Sequence, residues 1–186
     1  FGIINRLAKF ASASPNVVEG IGDDCAVVRV GTELLAVTCD MLLQDVHFRV
    51  HPERLAEIGW KTAAASLSDI ASMGATPLFA LVSCAAPSDF HIEHLEEIFR
   101  GLNECLGNYG AVLAGGDTTC CESHLILDLT LAGRVEGHYA SRSGAKPGDI
   151  IAVTGYPGRS AAGLQAQEQG FDAPKLIEAH IRPVPR

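Results

Sequence analysis

Between His124 and Leu131, leucine recurs at every second position: Leu125, Leu127, Leu129 and Leu131 alternate with His124, Ile126, Asp128 and Thr130. Successive side chains of a strand point to opposite faces, so a period of two commits this segment to a strand with one buried face. Such a strand needs neighbours to pair with and a cover for its apolar side. The chain offers both. Residues 25–30 and 34–39 are short apolar runs joined by Gly31-Thr32-Glu33, which predicts a hairpin. Residues 78–86 are continuously apolar, and 111–114 predict a further buried strand running into Gly115-Gly116-Asp117. For cover, an Ala- and Ser-rich helix is predicted from His51 to about Met73, with Gly74 as its stop. A second helix, capped by Ser88 or Asp89, carries Ile92, Leu95, Phe99, Leu102 and Leu106 at helical spacing.

Residues 3–10 read as an amphipathic helix, 150–154 as the start of a new strand, and 159–169 as a helix. Interleaved strands and helices place the chain in the α/β (α+β) class, with a mixed sheet flanked by helices. A polar Gly/Ser-rich segment at 138–148 separates two apolar blocks. We therefore expect one domain over 1–140 and the start of an incomplete second α/β domain over 141–186. The first residue is not Met and the last four are Pro-Val-Pro-Arg, so a piece of a longer protein is expected.

Composition narrows the function. A net charge of −8 with only 14 Lys and Arg provides no basic stripe for nucleic acid. No apolar run approaches the ~20 residues that span a bilayer, and no signal-peptide core is visible, so a cytoplasmic protein is expected. The six cysteines show no C-x-x-C pattern and read as reduced thiols. The adjacent pair Cys120-Cys121 is poorly placed to bridge.

Acids carry the functional signal. In Gly20-Ile21-Gly22-Asp23-Asp24-Cys25-Ala26, a flexible loop enters a buried strand with Asp24 at its lip. Asp40 ends a predicted strand, Asp117 follows one behind two glycines, and Asp69 lies inside the Ala-rich helix, where an unpaired carboxylate is costly. Singly, each has an ordinary reading as a turn cap, a strand end or a loop filler. Together they would repel: two carboxylates about 6 Å apart cost roughly 3 kcal/mol at an effective dielectric of 20. Convergence would call for a cation, and an oxygen-only ligand set selects Mg²⁺, which in turn would hold a nucleotide triphosphate. His47 follows Asp40 closely enough to contact a substrate, and Arg142 is either a solvated charge or a reach to phosphate oxygens. Gly155-x-x-Gly158-Arg159-Ser160 lacks the lysine and spacing of a phosphate loop and reads as a strand-to-helix turn. No nucleophile elbow is present and no catalytic nucleophile is predicted.

The ordered set Gly22-Asp23-Asp24-Cys25-Ala26, Thr38-Cys39-Asp40-x-Leu42, Val46-His47-Phe48, Lys61-x-Ala63, Leu67-Ser68-Asp69-Ile70-Ala71-Ser72-Met73-Gly74-Ala75-x-Pro77, Gly115-Gly116-Asp117-Thr118-Thr119 and Arg142-Ser143-Gly144-Ala145-Lys146-Pro147-Gly148-Asp149 resembles the thiamine-monophosphate kinase family, in the aminoimidazole-ribonucleotide synthetase superfamily. The resemblance implies ATP-dependent phosphorylation of thiamine monophosphate to thiamine diphosphate. It also implies an N-terminal α/β domain that pairs in a homodimer, with a barrel built from strands of both subunits. The Mg²⁺ ligands it implies are Asp24, Thr38, Cys39, Asp40, Asp69 and Asp117, with Cys39 acting through its backbone carbonyl because a thiol suits Mg²⁺ poorly. Gly116, Asp117 and Arg142 would contact ATP, and His47 the thiamine phosphate. Cys39 stands where the family often has a hydroxyl residue, and Ser66 where it usually has Asn. The family's later acidic segment and thiamine-binding residues would lie beyond Arg186. Phosphoryl transfer would be direct and in line. The alternatives are another ATP-dependent enzyme of the superfamily or a non-catalytic nucleotide-binding dimerisation module.

Overall fold

The computed structural model describes residues 2–186. Its centre is a six-stranded mixed sheet in the order β1-β2-β3-β6-β4-β5, formed by β1 (Val17–Glu19), β2 (Ala26–Val30), β3 (Glu33–Leu43), β4 (Ala75–Pro87), β5 (Val112–Cys121) and β6 (Ile126–Val135). Among the described strands only β4 and β5 pair in parallel. The leucine strand lies between β3 and β4, and Leu125, Leu127, Leu129 and Leu131 are all fully buried. Each contributes about 1.5–3 kcal/mol of apolar burial.

The cover is a helical hairpin, α2 (Leu55–Ser72) and α3 (Ile92–Asn108), with a short α1 (Gly2–Leu7) before the sheet. Where α2 and α3 cross, a Cβ on Gly59 would lie 1.8 Å from the Ile98 carbonyl oxygen, and one on Gly101 would lie 1.8 Å from that of Ala56. The two backbones touch, which only glycine allows. Helices α4 (Arg159–Gln169) and α5 (Pro174–Ile181) form a second pair. It is tied back to the hairpin by the Trp60 indole N–H, which donates to the Pro183 carbonyl at 2.8 Å, and by Arg182, which lies over the Trp60 ring and pairs with Glu104.

The opposite face of the sheet has no cover among the described residues. Met41 is 60% exposed, Phe79 39% and Leu81 42%. The continuously apolar run at 78–86 lies within β4 and buries one side only: Ala80, Val82, Cys84 and Ala86 point toward the helices, and Leu81 and Ser83 away from them. Asp40 does not end its strand, because β6 continues to pair with β3 as far as Leu43. The 111–114 segment extends to Cys121 as a largely exposed edge strand, so Asp117 sits inside a strand rather than in a loop. Helix α3 begins without Ser88 or Asp89 as cap: β4 runs to Pro87, Phe90 turns back onto the Pro87 carbonyl, and His91 precedes the first helical residue. Residues 150–154 form no strand. Ile150 and Ile151 are more than nine-tenths exposed, and no described strand lies alongside to accept their backbone hydrogen bonds. Among the described residues no helix is long and apolar enough to cross a membrane.

Candidate functional site

Three of the predicted acids meet where the helix-facing side of β3, the loop before β2 and the last turns of α2 come together. Asp40 is on the helix side of β3, where Ser66 of α2 donates to its Oδ2 at 2.8 Å. Thr38, two residues earlier and 7% exposed, donates to Oδ2 of Asp69 at 2.7 Å. Ser72 donates to Oδ2 of Asp24 at 2.8 Å. Ser66, Asp69 and Ser72 recur every third residue along α2, so one stripe of the helix meets all three carboxylates. That stripe was visible in the sequence and was not read as a unit. Ser66 and Ser72 are the residues it would have added.

The electrostatics are asymmetric. Burial pushes the Asp69 carboxyl above its usual range, the Thr38 hydrogen bond pulls it back, and Asp40 and Asp24 push it up again. Asp24 is held low, chiefly by its hydrogen bond to the Arg142 guanidinium. The Arg142 backbone N–H also donates to Oδ2 of Asp23 at 3.0 Å. The polar segment after β6 is thus drawn back over the acids by both aspartates of the Gly-Asp-Asp sequence. Cys25 lies beneath them, 2% exposed, its thiol pushed up to about 12 by burial and then by Asp69. It is an inert core residue.

Asp117 does not join this group within the chain. Asp40 aligns across the sheet with Leu129, Val82 and Gly116, whereas Asp117 aligns with Ser83 on the uncovered face. Three strand spacings, about 14 Å, also separate β3 from β5. The Asp117 carboxylate accepts the Thr118 N–H at 2.9 Å. Gly116 has a packing reason of its own: a Cβ there would lie 1.8 Å from the Val82 carbonyl oxygen. The Cys39 side chain also leaves the acidic group, since its thiol donates to Asp128 at 3.1 Å on the uncovered face.

His47 lies in the turn after β3. Its Nδ1 accepts the Leu43 N–H at 3.0 Å, which leaves the neutral ring's proton on Nε2. Its backbone carbonyl accepts from Lys61 Nζ at 2.8 Å. His47, Lys61 and Asp40 all line an open cavity of about 940 Å³ bordered by this turn, α2, and the α4–α5 pair. Asp40 therefore belongs to both the acidic group and the cavity.

Oxygen donors alone fit a hard divalent cation. Among the described residues no three acidic, histidine or cysteine side chains close on a point that could enclose a metal ion. Arg142 neutralises Asp24, and hydroxyls satisfy Asp40 and Asp69. The donor chemistry suits a cation whose remaining ligands come from a bound polyanion.

Residues 22–135 match the family described as AIR synthase related protein, N-terminal domain. The thiamine-monophosphate kinase of Bacillus subtilis is 36% identical over the whole chain, which spans 60% of that protein. The enzyme of the same name from Escherichia coli K12 is 38% identical, and the chain spans 59% of it. Among solved structures, AaThiL complexed with AMPPCP and TMP superposes with a TM-score of 0.90 at 30% identity, over 100% of this chain and 59% of that one. The chain thus spans about three-fifths of the length of these relatives.

Proposed function

We propose, on the premise that this chain belongs to the AIR synthase related protein family through its N-terminal domain, that it works in the ATP-dependent phosphorylation of thiamine monophosphate to thiamine diphosphate. The observation that carries this reading is the meeting of Asp24, Asp40 and Asp69 from three separate elements, with Arg142 drawn across them. Likeness to thiamine-monophosphate kinases over the full chain supports the choice of substrate.

Asp24, Asp40, Asp69 and the Thr38 hydroxyl, with the Cys39 carbonyl, would hold Mg²⁺. The ion would supply charge neutralisation between the acids and a polyphosphate. Arg142 would exchange its grip on Asp24 for phosphate oxygens of ATP, which its planar, permanently charged guanidinium suits. His47 would meet the thiamine phosphate in the cavity. Among the described residues no side chain is set up as an activated nucleophile, and the work proposed for them is alignment and charge stabilisation of a direct in-line transfer.

A homodimer across the uncovered sheet face is part of the same proposal. That face exposes Met41, Phe79 and Leu81, and it is where Asp117 projects. Asp117 and Gly116 would then serve the nucleotide site of a second copy.

The test is a coupled ADP-release assay with thiamine monophosphate as acceptor and thiamine as control. ADP and thiamine diphosphate formed in equal amounts, only with the phosphorylated acceptor, are expected. ADP release indifferent to the acceptor overturns the substrate, and a phosphorylated residue trapped during turnover overturns direct transfer.

A further inference from the structure

The cavity beside Asp40 holds two cationic side chains that no carboxylate answers. Lys61 Nζ has one protein acceptor, the His47 carbonyl, and burial lowers its pKa. Arg54 has a buried Nη1 with no hydrogen-bond partner. Neither is ion-paired among the described residues. Arg54 lines the cavity while its Nη1 is shut off from solvent, and an anion in the cavity would answer the charge of that guanidinium.

Both residues line the cavity, Arg54 from the cap position just before α2 and Lys61 from the second turn of that helix. The acids in the same wall are accounted for differently. Asp45 and Glu168 are both within reach of Arg49, and Asp40 accepts from Ser66. Glu53 and Glu57 also line the cavity, yet neither forms an ion pair with Arg54 or Lys61 among the described residues. Along α2, Lys61, Ala65 and Asp69 lie four residues apart, so one stripe runs from the cavity to the acidic group over about 12 Å. Lys61 and Ala65 line the cavity at one end of the stripe, and Asp69 stands at the other.

We propose that Arg54 and Lys61 form an anion-holding wall of this cavity and receive the phosphate of a phosphate monoester. The wall holds that group on the cavity side of Asp40, opposite the nucleotide on the acidic side. The identity of the ester, thiamine monophosphate, rests on the kinase reading above; the anion-holding role does not. Lys61 also fixes the turn bearing His47 through its carbonyl, so binding of the phosphate and placement of His47 are coupled.

The test is calorimetric titration of the full-length protein and its Lys61→Gln, Lys61→Arg and Arg54→Gln variants. The probes are thiamine monophosphate, inorganic phosphate and, separately, an ATP analogue, with melting curves as fold controls. Losing one charged hydrogen bond should weaken the phosphate monoester by about 10–100-fold in Lys61→Gln and Arg54→Gln. Lys61→Arg should recover most of that loss, and ATP-analogue affinity should stay within about twofold. Unchanged affinity for thiamine monophosphate in both Gln variants overturns the wall, and so does a parallel loss of the ATP analogue, which would mark a structural role. If the unaltered protein ignores thiamine monophosphate but binds inorganic phosphate, and Lys61→Gln abolishes that, the wall stands and the kinase reading falls. If it binds neither, the wall falls. Should Lys61→Gln fail to fold, Lys61→Arg and Arg54→Gln decide between the same outcomes.

Discussion

The Thr38 hydroxyl on β3 donates to Asp69 on α2 at 2.7 Å, and it is the one hydrogen bond that opposes the burial of that carboxylate. Burial keeps the folded pKa of Asp69 above its unfolded value near 3.9 all the same. Between those two values the folded chain binds more protons than the unfolded one, so stability falls as pH rises through this window. Asp69→Asn removes the buried charge and keeps an acceptor for Thr38. Without divalent metal, the variant should melt higher than the parent at neutral pH, and the difference should shrink as pH drops below the window. Melting curves of both proteins between pH 3 and 7 measure this. A variant that melts lower at neutral pH would show that Asp69 is not strained by burial.

Arg142 works in the opposite sense on Asp24. Its guanidinium depresses the folded pKa of Asp24, so the pair's contribution is complete above the unfolded value near 3.9 and is lost as pH falls through the depressed folded value. The arginine side chain is 60% exposed, so solvent screening makes that contribution small. Arg142→Gln should therefore leave melting at pH 7 nearly unchanged. Its expected effect is functional: a raised KM for ATP, with the KM for the acceptor kept. A matched rise in both constants would place Arg142 outside the nucleotide site.

Divalent metal should report on the acidic group directly. Mg²⁺ at about 100 times its dissociation constant adds about 2.7 kcal/mol to the folded state, which for a chain of this size is on the order of 5–10 °C in melting temperature. Asp24→Asn and Asp40→Asn should remove most of that gain. A full Mg²⁺ shift in both variants would separate these acids from any metal.

How far the sequence announced this arrangement depended on whether the cause was local. The leucine alternation at 125–131 was readable because a period of two acts within one strand. The run of residues 159–169 after Gly158 was readable because turn and helix signals are adjacent in the chain. Asp117 was not: whether a strand residue faces the acids or the open side is decided by register against β4 and by the bulge near Ala80. Asp40 was placed at a strand end because the apolar run stops there, whereas β6, some ninety residues away, decides that the strand continues. The run at 150–154 has strand composition and lacks a neighbour to pair with, which no local pattern encodes. Arg54 and Lys61 look like solvated charges in a helix until the α4–α5 pair borders the cavity beside them.

The helix crossing tests the fold itself. Gly101 faces the Ala56 backbone at a separation that leaves no room for a methyl group. Gly101→Ala forces α2 and α3 apart, and overpacking of this kind costs about 1–3 kcal/mol or more. Because α2 carries Ser66, Asp69 and Ser72, the displacement should also weaken any Mg²⁺-dependent shift, although Gly101 is remote from the acids in sequence. Urea unfolding with and without Mg²⁺ measures both effects. Unaltered stability would mean that the helices do not touch at these glycines.

The position of Asp117 makes a prediction about subunit composition. A dimer across the uncovered face would serve each site with the Asp24 group of one copy and Asp117 of the other. Asp24→Asn and Asp117→Asn homodimers should then both be nearly inactive. Mixing the two variants under conditions that exchange subunits should restore activity, because each mixed dimer holds one site with both changes and one with neither. Full exchange should give mixed dimers as about half the population and about a quarter of the parent's sites, by random pairing of symmetric C₂ subunits. If Asp117 instead acted within its own chain, every site of the mixed dimer would carry one change and mixing would restore nothing. ADP release before and after exchange distinguishes the two, and sedimentation of each variant checks that the dimers form.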